Sequence, residues 1–202
     1  MKQGILAIVK FFLFLLVLPL VAATVLAFQS QVLGLPVHKE QWILWGGGIF
    51  VLAYLFFYNF KEVYIFGQTV VSNLLKFLGP AVHAAGLIVP IYTVLIICLY
   101  LILNVVGVAA RYEGCLLLAL GFSVAMHIVL TAHQLYEADC SPIKAHYLFA
   151  FGLAFTANFF IISLLLGFVV PEFSFMGFFK TLSQHTASYY HAIYKALFVS
   201  PS

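Results

Sequence analysis

"YLFAFGLAFTANFFIISLLLGFVV", Tyr147 to Val170, runs for 24 residues without a charged side chain. About 20 apolar residues of helix cover a hydrocarbon core of about 30 Å, and an unpaired backbone amide in lipid is costly enough that helices are the default spanning structure. The stretch therefore reads as a transmembrane helix. Working outward, four more runs meet the same standard: Ile5 to Phe28, Trp42 to Tyr58, Ala84 to Val106 and Cys115 to His133. The whole chain agrees, with 65% hydrophobic and only 7% charged residues in 202, where soluble domains carry about a quarter charged. Lys2 ahead of the first run has the charge layout of a signal peptide, but the run exceeds an h-region. It reads as a retained helix, with processing at "VAATVLAF" as the alternative.

Between the second and third runs lies "KEVYIFGQTVVSNLLKFLG", Lys61 to Gly79, shorter and polar along its middle. Gly79 and Pro80 are helix-stop residues, so a helix is expected from about Glu62 to Leu78, either crossing or re-entrant. Gln68, Thr69, Ser72 and Asn73 recur at helical spacing and are expected to share a face directed at other protein. If this helix crosses, Lys2, Lys10, Lys61, Arg111, Lys180 and Lys195 lie on one side, against Lys39, Lys76 and Lys144. That count favours both termini in the cytoplasm. After Pro171, Phe178, Phe179, Leu182, Tyr189, Ile193, Tyr194 and Leu197 recur at steps of three and four, opposite Lys180, Gln184, His185, Ser188, His191 and Lys195. The pattern suits a helix lying on the bilayer surface or under a partner subunit. The expected architecture is all-α: a transmembrane bundle over 1–170, of five spans and one short intramembrane helix, with an amphipathic interfacial tail over 171–202.

The polar residues narrow the chemistry. All six acids, Glu40, Glu62, Glu113, Glu137, Asp139 and Glu172, fall at span ends or in connections, which disfavours a carboxylate-based proton or cation path. The formal charge of +3 is scattered singly, so no nucleic-acid partner is inferred. Cys98, Cys115 and Cys140 show no Cys-x-x-Cys spacing, and neither a metal site nor a disulfide framework is read from them. His127 lies inside a span and His133 near its end, rotated by about 240° from each other. Interhelical hydrogen bonding is the plain reading for His127, Asn104 and Asn158; haem ligation through His83, His127 or His133 is the alternative. Gly46, Gly47 and Gly48 read as a site of close helix approach. Of the serines available for a nucleophile, Ser72 and Ser123, Ser72 lies in Val-Ser-Asn without a Gly-x-Ser-x-Gly-like context.

The segment "YIFGQTVVSNLLKFLG", Tyr64 to Gly79, resembles bacterial intramembrane zinc metallopeptidases of the site-2-protease type, in which a similar Tyr-x-Phe-Gly runs into His-Glu-x-x-His. The similarity continues through "VPIYTVLIICLYLIL", Val89 to Leu103, and through "GFSVAMHIVLTAHQLYEADC" and "HYLFAFGLAFTANFFIISLLL", covering roughly residues 42 to 168. On Phe66 and Gly67, the resemblance puts Gln68 at the first His, Thr69 at the Glu and Ser72 at the second His. Two imidazoles on adjacent turns would hold zinc and the carboxylate would activate its water. An amide and two alcohols do neither, and no carboxylate between Ala84 and Tyr112 replaces the third ligand.

The expected protein is thus a non-catalytic relative of such peptidases, without catalytic residues, metal or cofactor, acting as an accessory subunit beside other integral membrane subunits and lipids. The expected location is a bacterial inner membrane. Asn73, Asn104, His127, Asn158, His185 and Tyr189 are the candidate helix-packing or partner contacts. A haem- or quinone-associated redox subunit and a small transport or channel subunit are the alternatives.

Overall fold

The computed structural model describes residues 2–57, 60–139 and 144–198. Every element among them is helical: α1 Lys2–Leu33, α2 Val37–Phe57, α3 Phe60–Leu74, a 3-10 turn Lys76–Ala81, α4 Val82–Ile88, α5 Ile91–Val105, α6 Ala109–Ala138, α7 Ala145–Val169 and α8 Phe175–Phe198. Among the described residues four stretches are long and apolar enough to cross a membrane: Ile8–Leu33, Val37–Phe57, Ala109–Ala138 and Ala145–Val169. The chain is a helical membrane protein.

α2 lies along α6 in the same direction, because two glycines remove the side chains that would hold the backbones apart. A Cβ on Gly46 would sit 2.0 Å from the Leu118 carbonyl oxygen, and one on Gly121 would sit 2.0 Å from that of Ile43. Of the three consecutive glycines only Gly46 is committed this way; around Gly48 there is open space. α7 runs parallel to α1, with the rings of Phe28 and Phe159 4.7 Å apart and Val17 and Val21 against Gly152. α5 runs antiparallel to α6, and Thr93 meets Ser123 at 3.0 Å. The central apolar cluster joins Val32, Ile97, Leu117, Leu120, Ile162 and Leu166, drawn from α1, α5, α6 and α7.

At one end of the bundle Lys39 is nearly buried and bridges two elements. Its Nζ is 2.9 Å from Glu113 Oε1 on α6 and 3.0 Å from Glu172 Oε1 in the α7–α8 turn. The ammonium holds the Glu172 carboxyl below its ordinary range. The opposite end carries Lys61, paired with Glu137 at 2.8 Å.

Three expectations are changed. The run Ala84 to Val106 is not one helix: Pro90 has no N–H to continue the ladder, so α4 ends at Ile88 and α5 restarts at Ile91. The short polar helix begins at Phe60 and ends at Leu74, where a 3-10 turn takes over, with Gly79 at φ 57°. Finally, α8 does not lie free of the bundle. Phe178 and Leu182 are buried among Ala23 and Ala27 of α1, and Val170 and Phe173 belong to the central cluster, so packing continues across the 170/171 boundary.

Candidate functional site

The break at Pro90 exposes the carbonyl groups that a continuous helix would have used, and a buried carbonyl without a donor is expensive. Two helices supply donors to the same oxygen. His127 Nε2 on α6 and Asn158 Nδ2 on α7 each lie 3.2 Å from the Leu87 oxygen. Because a carbonyl only accepts, the imidazole carries its proton on Nε2. His127 and Asn158 are both buried, so the broken helix is pinned between α6 and α7 by neutral hydrogen bonds. The Asn158 Oδ1 atom has no hydrogen-bond partner among the described residues.

Next to this lies a second set of uncharged groups. Gln68 Nε2 donates to Tyr64 Oη at 2.8 Å and to Gln134 Oε1 at 2.7 Å, which uses both amide protons. Tyr64 Oη in turn lies 2.7 Å from Thr131 Oγ1. The chain from Gln134 through Gln68 and Tyr64 to Thr131 ties α3 to α6 beside the apolar packing of Phe60 and Tyr64 on Phe122, Met126 and Leu130. It borders a cavity of about 160 Å3, lined by Gln68, Ser72, Gly86, Leu87, Gln134 and Leu135 among others. A Cβ on Gly86 would sit 3.8 Å from Ser72 Oγ, so α4 comes close to α3 across this space.

Of the predicted site residues, the structure brings together Gln68, Ser72, His127 and Asn158. Gln68 and Ser72 are one turn apart on α3 and line the same cavity. Thr69 and Asn73 are exposed on the flank of that helix, and the Thr69 hydroxyl bonds back to the Ile65 carbonyl at 2.9 Å. The four polar residues therefore do not share one inward face: Gln68 and Ser72 face the cavity, while the pair Thr69 and Asn73, turned by about 100° from them, is exposed. Asn104 is exposed near the end of α5. His185 and Tyr189 stack on α8, ring centroids 6.2 Å apart, well away in sequence and fold from the cavity.

The residues behind the alternative readings are spread out. His133 lies 3.2 Å from Glu137 and is not beside His127. His83 falls on α4, with its side chain outside the described ones, and Cys140 lies outside the described residues. Ser123 donates to the Leu120 carbonyl at 2.9 Å and meets Thr93. Among the described residues no three His, Cys, Asp or Glu side chains form a group able to hold a metal.

Tyr64, Thr131, Gln134 and the Leu87 carbonyl were missed by sequence reasoning. Pro90 was the available signal, since a proline inside an apolar run frees a carbonyl that some polar side chain must satisfy. What the site offers is neutral donors and acceptors around a small cavity. It can bind and orient, and it can hold helices in register.

Comparison with family models, with curated proteins and with solved structures finds no match.

Proposed function

We propose that this chain is a non-catalytic membrane subunit, a degenerate metallopeptidase-like scaffold that serves as a structural or accessory component of a larger membrane assembly. The observation that carries the reading is the state of the Gln68 and Ser72 pair. These positions sit one turn apart and face a common cavity, the spacing that two metal-binding imidazoles require on a helix. The groups found there are an amide that gives both its protons to Tyr64 and Gln134 and a neutral hydroxyl. Neither delivers a basic lone pair to zinc, and Thr69, turned outward, bonds its own helix. Gln68 acts as a connector between α3 and α6, and a chain with a connector in place of a reacting group works through contacts.

The basic residues support an orientation. Lys2, Lys10, Lys61, Lys76, Lys144 and Lys195 lie toward the Lys61 end, against Lys39, Arg111 and Lys180 toward the other, a division that differs from the six-span count in Lys76, Lys144, Arg111 and Lys180. By the positive-inside rule this distribution favours a cytoplasmic N-terminus, in keeping with the reading of a bacterial inner-membrane subunit. The test is native purification in mild detergent. The expected result is far less than one zinc per chain and recovery with other integral membrane subunits in fixed ratio. One tightly held zinc per chain, lost together with cleavage of a membrane substrate in Gln68→Ala and Ser72→Ala, overturns the reading.

A second reading, a small transport subunit, is favoured by one feature: a helix broken at membrane depth beside a polar cavity is how many transporters build a site. Flux through vesicles containing this chain alone would select it over the first.

A further inference from the structure

α8 carries a surface that lipid cannot cover. Its placement beside α1 is fixed at two points. Near its start a Cβ on Gly177 would sit 3.1 Å from the Gln31 amide, and thirteen residues later Tyr190 Oη donates to the Leu16 carbonyl. Between these points α8 advances about 20 Å and α1 returns about 22 Å, so the two helices run antiparallel and cover the same depth. That part of α1 belongs to the span Ile8–Leu33. α8 also follows α7 through a five-residue turn, so it descends where α7 has just risen.

The side of α8 that meets α1 is apolar, with Phe178 and Leu182 buried. The opposite side holds Lys180, Ser183, Gln184, Ala187, Ser188, His191 and Lys195, all exposed. Steps of three, four and seven residues keep them within one stripe. In water such a stripe needs no explanation. At the depth of a transmembrane helix, amide, hydroxyl and imidazole groups must find protein partners.

We propose that α8 crosses the membrane and that its polar stripe docks against the same stripe of a second copy of this chain, with the twofold axis along the bilayer normal. Three features of the stripe select that occupant. Copies inserted in the same orientation meet in parallel, so each residue faces its own equivalent. Gln184, Ser188 and His191 each have both a donor and an acceptor in their neutral forms, so each can pair with itself. Ser183 and Ala187, one turn apart, are small enough for the two backbones to approach closely while those side chains bond across. The stripe's only fixed charges are near its ends: Lys180 and Lys195 are about 22 Å apart and reach toward opposite membrane surfaces on their flexible stems. Met176, Phe179 and Tyr194, exposed beside the stripe at 70, 49 and 58%, supply an apolar margin to the contact.

The proposal goes beyond the accessory-subunit reading and holds or fails apart from zinc content and from co-purifying subunits. It is tested in the full chain, in membranes, with Cys98, Cys115 and Cys140 replaced by serine. Ala187→Cys is expected to form a disulfide-linked dimer on mild oxidation, while Leu182→Cys, facing α1, stays monomeric. Ser183→Cys is expected to resist a membrane-impermeant maleimide from both sides. In lipid nanodiscs, Gln184→Leu with Ser188→Leu is expected to weaken dimerisation about tenfold while the thermal unfolding midpoint of the monomer is retained. Ready aqueous labelling of Ser183→Cys would place α8 on the membrane surface and overturn the proposal. So would Ala187→Cys that is shielded yet never links to itself, which would give the stripe to a different subunit.

Discussion

The α2–α6 seam and the α3–α4 corner lie side by side in the same bundle and are held by opposite means. At the seam, Gly46 and Gly121 let two backbones touch, and the contact depends on what is missing from each side. At the corner, helices that are too short to bury much surface are tied by named groups: Gln68, Tyr64, Thr131 and Gln134 on one side, and His127 with Asn158 on the Leu87 carbonyl on the other. The seam is specified by volume and the corner by donors and acceptors. Substitutions that one region ignores should therefore disable the other.

The sharpest way to break this contrast is to add a methyl group to the seam. Gly46→Ala or Gly121→Ala puts a Cβ into a backbone carbonyl that has no way to retreat, and each is expected to cost about 3 kcal/mol. Gly48→Ala meets open space and is expected to be neutral or to stabilise by up to about 1 kcal/mol. Unfolding of the three variants in one detergent separates them; equal losses would show that the seam is not set by contact.

The corner should respond to chemistry. His127→Leu and Asn158→Leu are each expected to cost about 1 to 2 kcal/mol, since either residue alone still satisfies Leu87. Together they orphan the carbonyl, so the double variant should lose about 1 kcal/mol more than the sum. A double-mutant cycle that comes out additive would mean that the two donors do not share one acceptor in effect.

Smaller still is the ionic clasp at the Lys39 end. Glu172 is held below its ordinary pKa of 4.5, chiefly by the Lys39 ammonium. A carboxyl whose folded pKa is depressed contributes stability above its unfolded pKa and loses it as pH falls through the folded one. The advantage of the native chain over Glu172→Gln, about 0.5 to 1 kcal/mol for a solvent-screened pair, should therefore be complete above about pH 4.5 and fade below it. An advantage that persists well below that range would point away from the ion pair. Thr69→Ala, which removes only a bond to its own helix, should shift stability by less than about 0.5 kcal/mol.

Much of the framework was legible because a bilayer leaves few options: long uncharged runs become helices, and three glycines in a row flag a close approach. The missing part was relational. Ala84 to Val106 looks continuous by composition, and only Pro90 hinted that it divides. The polar stripe of α3 could be seen, but which half of it faces protein was decided by the angle at which α3 meets α6, a tertiary property. Likewise the amphipathic pattern of α8 was plain, while nothing in it said that its apolar side would find α1 before it found lipid. Gln68 and Ser72 were readable as positions, and the engagement of Gln68 by Tyr64 and Gln134 was not, since those partners are distributed over two helices.

The division of the third hydrophobic run has an effect on the membrane itself. α5 is left with fifteen residues, a length of about 22 Å, yet it presents Leu95, Leu99, Ile102 and Val105 outward to a hydrocarbon layer about 30 Å thick. Were that flank to face the hydrocarbon, the shortfall would be met by local thinning or by neighbouring helices, at a cost of fractions of a kcal/mol for each ångström of mismatch. A bilayer of shorter acyl chains would remove that mismatch, so the chain is expected to unfold later in thin-membrane than in thick-membrane vesicles.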